Sequence, residues 1–246
     1  MARQLEINGL AGGLGDSRGT LIESVLITNA DLDHVLGLFQ LREDRLLKVV
    51  CATPVRQAIS EELRLDSLLA NYCGIQFIEP AFTPQPLYDW SGQETGLLLR
   101  AIPADGSPPK FSNRNKSPHG LDSVGYEVTD QYSLAKVVVF PDVQEWSHKI
   151  ESACVSASLI LFDGTFWDED ELARVRPGAR TATQMGHIPI SGPDGSLAHF
   201  SRIGAKKMVY VHINNTNPIL LKNSIERNTV EACSMVVGED GMRWNL

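Results

Sequence analysis

Residues 24–34, Ser24-Val25-Leu26-Ile27-Thr28-Asn29-Ala30-Asp31-Leu32-Asp33-His34, join an apolar run to a polar turn. Ser24 to Thr28 is short, apolar and β-branched, which predicts a buried strand. It ends in Asn29, Asp31, Asp33 and His34, and the helix-like Val35-Leu36-Gly37-Leu38-Phe39 follows. The same rhythm recurs along the chain. Leu46 to Cys51 reads as a strand, and Thr53-Pro54 as an N-cap with proline at the first helical position, opening a helix to about Leu65. Strands are expected over 74–78, 97–102 and 125–128, with a long functional loop between Ala104 and Leu121. The second half predicts strands over 136–140, 158–162 and 208–212, and helices over 142–153 and 225–233. Strands alternating with helices give a layered α/β architecture. No repeat of fixed period and no linker composition is visible, so residues 1–246 read as a single domain.

Composition narrows the function classes. Hydrophobic residues are 43% and charged residues 21%, the values of a folded globular chain. Lys and Arg number 22 against 30 Asp and Glu, so the net charge is −8, which argues against nonspecific binding to nucleic acid or acidic lipid. No stretch approaches the ~20 apolar residues of a membrane span, and the first residues lack the apolar core of a signal peptide. Cys51, Cys73, Cys154 and Cys233 stand singly with no CxxC pair, which suggests a reducing, cytoplasmic setting. Residues 8–20 are Gly-rich and loop-like.

The chemistry-bearing residues collect where strands end. The strand over 24–28 runs into Asp31, Asp33 and His34; that over 158–162 into Asp163-Gly164-Thr165; that over 208–211 into His212-Ile213-Asn214-Asn215-Thr216-Asn217. His119 and His187 add two further turn histidines. In layered α/β folds, loops at strand ends converge over a rigid sheet and carry ligand sites. In Asp31-x-Asp33-His34, Asp33 and His34 can address one metal while Asp31 faces a neighbouring position. Such mixed oxygen and imidazole donors suit iron, manganese or zinc. Asp31 or Asp33 taken alone is as readily a helix cap; the four strand-end clusters taken together favour a metal site. His148 and His199 read as surface residues. No dinucleotide fingerprint opens a βαβ unit, and neither a Walker A sequence nor a GxSxG elbow is present.

Several longer segments carry a resemblance: TNADLDH (28–34), ATP (52–54), FDGTFWDEDE (162–171), MGHIPISGPDGS (185–196) and HINNTNPIL (212–220). Together they resemble the B proteins of pyrroloquinoline quinone (PQQ) biosynthesis, within the metallo-β-lactamase superfamily. The resemblance implies a four-layer αββα sandwich of the metallo-β-lactamase type. Asn29-x-Asp31-x-Asp33-His34 lies on the superfamily's HxHxDH motif, with Asn29 and Asp31 in place of the first two histidines. It implies metal ligands Asp33, His34, His119, Asp163 and His212, with Asp163 as the bridging carboxylate. His187 and Asp31 take catalytic roles, His187 as an acid/base group. The amides Asn214, Asn215 and Asn217 bind cofactor.

Loss of two imidazoles implies a mononuclear site suited to Fe(II), with zinc as the other candidate metal and O2 as co-substrate. The implied activity is hydroxylation of the tyrosine ring of a peptide-derived PQQ precursor. A non-catalytic carrier aiding transport of PQQ or its precursor to the periplasm ranks second, and a metallo-hydrolase third. Family members begin with further strands and a cysteine cluster for a structural zinc. This chain is expected to lack both, leaving a sheet edge that a homodimer or a partner strand would cover.

Overall fold

The strands bury alternate residues, and that alternation fixes which layer each face meets. The computed structural model describes residues 5, 7, 21–42, 45–117, 120–204 and 207–246. The smaller sheet has three parallel strands among the described residues, in the order β1 (Val25–Leu26), β2 (Leu47–Val50) and β3 (Ile75–Ile78). The larger sheet contains β4 (Gln85–Tyr88), β5 (Glu94–Pro103), β6 (Val124–Asp130), β7 (Lys136–Phe140), β8 (Leu159–Asp163), β9 (Met208–Val211) and β10 (Val236–Val237). Its spatial order follows the chain, antiparallel from β4 to β7 and parallel from β7 to β10.

Val138 and Phe140, Ile160 and Phe162, and Met208 and Tyr210 alternate onto one face of the larger sheet. There they pack on Ile150, Ala153, Phe200 and Val230. These come from α4 (His148–Val155), α6 (Ser196–Ile203) and α7 (Ile225–Ala232), numbered after α1 (Leu32–Val35), α2 (Thr53–Gln57), α3 (Leu65–Leu69) and α5 (Glu171–Val175). On the other face, Leu99, Ala101, Val124 and Tyr126 meet Ile27, Val49 and Val50 of the smaller sheet, which Val55, Ile59, Leu65 and Leu69 cover from outside. Helices, sheet, sheet, helices: this is the metallo-β-lactamase αββα sandwich. Tyr126, 2% exposed, ties the sheets together, its hydroxyl lying 2.9 Å from the Ile27 carbonyl and 3.1 Å from that of Val50.

Two expected elements shift. The helix after β2 is capped by Ala52, with Thr53 already inside it, because the Thr53 N–H and hydroxyl both bind Glu79. It ends in a π-turn at Ala58–Glu62. The helix expected over 142–153 begins only at His148, capped by Ser147, whose Oγ accepts from the Ile150 N–H. Residues 141–147 instead form a bend that delivers Asp142 to the junction of the sheets. At that junction the Val124 N–H donates to the Thr28 carbonyl at 2.9 Å, and Asn29 bridges Ser123. No helix among the described residues is long and apolar enough to cross a membrane.

Candidate metal centre

Three strand ends deliver the site. The turn after β1 supplies Asp33 and His34, the bend after β7 supplies Asp142, and the end of β9 supplies His212. His34 Nε2 and His212 Nε2 lie 3.1 Å apart. Asp33 Oδ2 is 3.1 Å from His212 Nε2 and 3.7 Å from His34 Nε2. Asp142 Oδ2 is 2.9 Å from His34 Nε2. Tetrahedral donors at 2.0–2.2 Å from one ion would be about 3.3–3.6 Å apart. The Nε2 atoms of His34 and His212 and the Asp33 carboxylate therefore fit around a single metal ion, while Asp142, beside His34, groups with His187 and His212 in a second, overlapping set. Asp33 is open to solvent (68% exposed), while His34 and Asp142 are nearly enclosed (11% and 13%).

The capping alternative for Asp31 does not hold, since no side chain caps the N-terminus of α1. Asp31 instead lies beside the site in a cavity wall, its N–H held 3.0 Å from Asn29 Oδ1. The Asn29 amide donates to Asp142 Oδ2 at 2.6 Å and so orients this carboxylate.

Asp163, expected as the bridging ligand, is fully buried and otherwise engaged. Its Oδ1 accepts from the Thr165 N–H (3.0 Å) and hydroxyl (2.7 Å), and its Oδ2 from the Val143 N–H (2.9 Å) and His187 Nδ1 (2.8 Å). The carboxylate facing the imidazoles is Asp142. The Thr165 hydroxyl has two oxygen acceptors within reach, Asp163 Oδ1 at 2.7 Å and the His212 carbonyl at 2.9 Å; donating to either, it accepts from His212 Nδ1 at 2.8 Å, the arrangement that leaves Nε2 free to ligate. Asp163 thus orients His212 through Thr165 and His187 directly. Asp142 carries the same signal as the other sites, an Asp just past a β-branched strand, but helical reading of 142–153 hid it. His119 lies outside the described residues.

The amides of the 214–217 turn are structural. Asn217, 2% exposed, donates to the carbonyls of Gly164 and Thr165 and accepts from the Ile219 N–H. Asn214 donates to Thr216, which donates to Glu171. These bonds lock the turn bearing His212 onto the Asp163-Gly164-Thr165 turn and engage both ends of the Asn217 amide and the Asn214 NH2; Asn215 is exposed. His212 itself has φ +55°, in the left-handed region that a β-strand end seldom visits. His199 is stacked on Trp146 with ring centroids 4.5 Å apart, while His148 is exposed.

The electrostatics follow the same contacts. Burial opposes the charge of Asp142, yet the His34 hydrogen bond and the fields of His212, His34 and His187 carry its pKa down to about 2. The hydrogen bond to His212 holds Asp33 below the ordinary carboxylate range. Burial also opposes protonation of His212, but Asp33, Asp142 and Asp163 raise it to about 9. His187 is raised as well, the Asp163 charge and hydrogen bond outweighing burial. Asp31 is raised, first by burial and then by Asp142.

Comparisons with known proteins show the family and the fold. The model of a family described as a β-lactamase superfamily domain matches residues 15–213. A coenzyme PQQ synthesis protein B of Azoarcus sp. (strain BH72) is 35% identical over 231 residues, covering 93% of this chain and 75% of that protein. The protein of the same name from Cupriavidus necator is 32% identical, covering 92% and 73%. Among solved structures, Zn(2+)-bound PqqB from Methylobacterium extorquens superposes with a TM-score of 0.83 at 27% identity, covering 99% of this chain and 80% of that one. A diphosphatase of the PhnP family shares the fold alone, with a TM-score of 0.61 at 12% identity.

Proposed function

The chain belongs to the coenzyme PQQ synthesis protein B family of the β-lactamase superfamily, and on that premise we propose that it is a metal-dependent hydroxylase of PQQ synthesis. Its substrate is the tyrosine-derived ring of a peptide-derived precursor, and O2 is the co-substrate. The observation that carries the reading is the mixed donor set: His34, His212 and Asp33 converge on one position, and Asp142, 2.9 Å from His34 Nε2, is the carboxylate assigned to complete it. Asn29 contributes a hydrogen bond to Asp142 rather than a further imidazole. Two imidazoles with carboxylate and open positions form the donor set associated with non-haem Fe(II) oxygen chemistry, while the relative from Methylobacterium extorquens was solved with zinc. When bound, Fe(II) supplies the activation of O2.

The protein's own groups do the rest. Asp163 and Thr165 hold His212 in one tautomer, and Asn29 fixes Asp142, so the donor set is pre-formed. His187 lines the adjoining cavity and commits Nδ1 to Asp163, leaving Nε2 to take the phenolic proton or return it. Asp31 lines the same cavity, and burial makes its carboxylate a better proton acceptor than an exposed Asp. Anaerobic loading with Fe(II) or Zn(II), followed by metal counting and O2 uptake with the precursor, tests the reading. It expects one ion per chain and uptake with iron alone. Metal-independent PQQ binding without turnover would instead support the carrier.

A further inference from the structure

Beside the metal centre lies a cavity of about 180 Å3, walled by Asn29, Asp31, Asp142 and His187 on the metal side. It is smaller than the ~300–1,000 Å3 that encloses a whole small molecule, so it suits one arm of a larger ligand. Two cations line it, Lys110 from the loop after β5 and Arg180 from the segment after α5. Neither Lys110 nor Arg180 forms an ion pair with a described residue, so both are available to a guest in the cavity. The cavity is thus divided: the Asp31 and Asp142 carboxylates stand on its metal side, and Lys110 and Arg180, which form no ion pair, offer an anionic group of the guest two cations.

A second, independent observation points the same way. Ser123 Oγ and Gln144 Oε1 are buried without any hydrogen-bond partner among the described residues, and both residues line this cavity. Ser123 is 4% exposed. Buried polar atoms are ordinarily paired, and an orphan costs free energy until something binds it. The Ser123 hydroxyl can donate to an acceptor oxygen, and the Gln144 carbonyl can accept from an N–H. Close approach keeps this wall in place: a Cβ on Gly106 would fall 2.3 Å from the Ser123 Cβ.

We propose that this cavity is the specificity site for a carboxylate-bearing arm of the substrate, with Lys110 and Arg180 as an ionic clamp and Ser123 and Gln144 reading its acceptor oxygen and N–H. The ligand class is a polycarboxylate that also carries an N–H donor. The inference rests on the proposed function only in placing the reacting ring beside Asp142 and His187.

The test titrates metal-free and zinc-loaded protein with PQQ, a tricarboxylate, and with its neutral methyl triester, following ligand fluorescence. Wild-type protein should bind the acid roughly tenfold or more tighter than the ester, with an affinity that falls as salt rises. Lys110→Gln and Arg180→Gln should each weaken the acid roughly tenfold and leave the ester unchanged, while Lys110→Arg restores most of the loss. Both side chains are exposed, so each variant should keep wild-type zinc content. Equal affinity for acid and ester, or unchanged acid binding in both variants at wild-type zinc content, overturns the clamp and leaves the metal-centre reading intact. Clamp-dependent binding by a protein that takes up no metal sustains the clamp and overturns that reading.

Discussion

Asp163→Asn separates an orienting carboxylate from a ligating one. The substitution preserves shape but replaces one acceptor oxygen with an NH2, and four donors point at the two oxygens it alters. With the NH2 in place of Oδ1, the Thr165 N–H loses its acceptor and the hydroxyl loses the shorter of its two, keeping only the His212 carbonyl, so its hold on the His212 ring weakens. In place of Oδ2, the Val143 N–H is orphaned and His187 must switch tautomer. Loss of such an orienting group lowers metal affinity by about 10–100-fold, which is about 1.4–2.7 kcal/mol. An orphaned buried N–H costs a further ~1–3 kcal/mol of fold stability. Competition with a chromophoric chelator reads the first quantity, and thermal unfolding of metal-free protein the second. Asp142→Asn, which removes a proposed ligand, should lose far more metal affinity than Asp163→Asn. His187 should also titrate lower in Asp163→Asn, because the Asp163 charge is what raises it. Equal losses in the two variants, or wild-type affinity in Asp142→Asn, would refute the assignment of roles.

The remaining predictions concern protons, sheet packing and the locked turn. In metal-free protein the fold favours protonated His212, fully below pH 6.5 and less as pH rises towards about 9. A ligating imidazole must be neutral, so apparent metal affinity should rise by up to about tenfold per pH unit between pH 7 and 9 and level off above; calorimetry in two buffers should detect the released proton, and a flat profile would count against it. Tyr126→Phe removes the hydroxyl that joins Ile27 and Val50, so stability should fall by about 1–2 kcal/mol and Tm by roughly 2–8 °C. Asn217→Ala should lower stability by ~1–3 kcal/mol and weaken metal binding through His212, while Asn215→Ala changes neither; differential scanning with and without metal distinguishes them.

Much of the architecture was legible because the strands signal themselves locally. Val137, Val138 and Val139 between Lys136 and Phe140 leave little alternative to β7, and Pro54 marks the start of the helix after β2. What escaped were elements whose identity depends on distant partners. β4 (Gln85–Tyr88) contains Pro86 and carries no clear alternation; it exists because β5 pairs with it. Ser196–Ile203 gives little local signal of a helix, since Gly195 caps it and no side chain bonds its first N–H groups. The site divides in the same way. Asp33, His34 and His212 stand in turns whose sequence announces them. The exchange of Asp163 for Asp142 does not show in sequence, since both follow β-branched strands. Only the packing reveals that Val143 and Thr165 enclose one carboxylate while the imidazoles face the other. Asn214 and Asn217 misled for a related reason: amides in a polar turn look available to a ligand until their partners Thr216, Gly164 and Thr165 are in place.

The central claim is that a single ion held by Asp33, His34, Asp142 and His212 lets this protein put oxygen from O2 onto the precursor ring. Mass analysis of the product formed by iron-loaded protein under isotopically heavy O2 tests it directly. Label should appear in the ring of the product and be lost together with bound iron in His34→Ala and His212→Ala. Unlabelled product, or undiminished labelling in those variants, would contradict it.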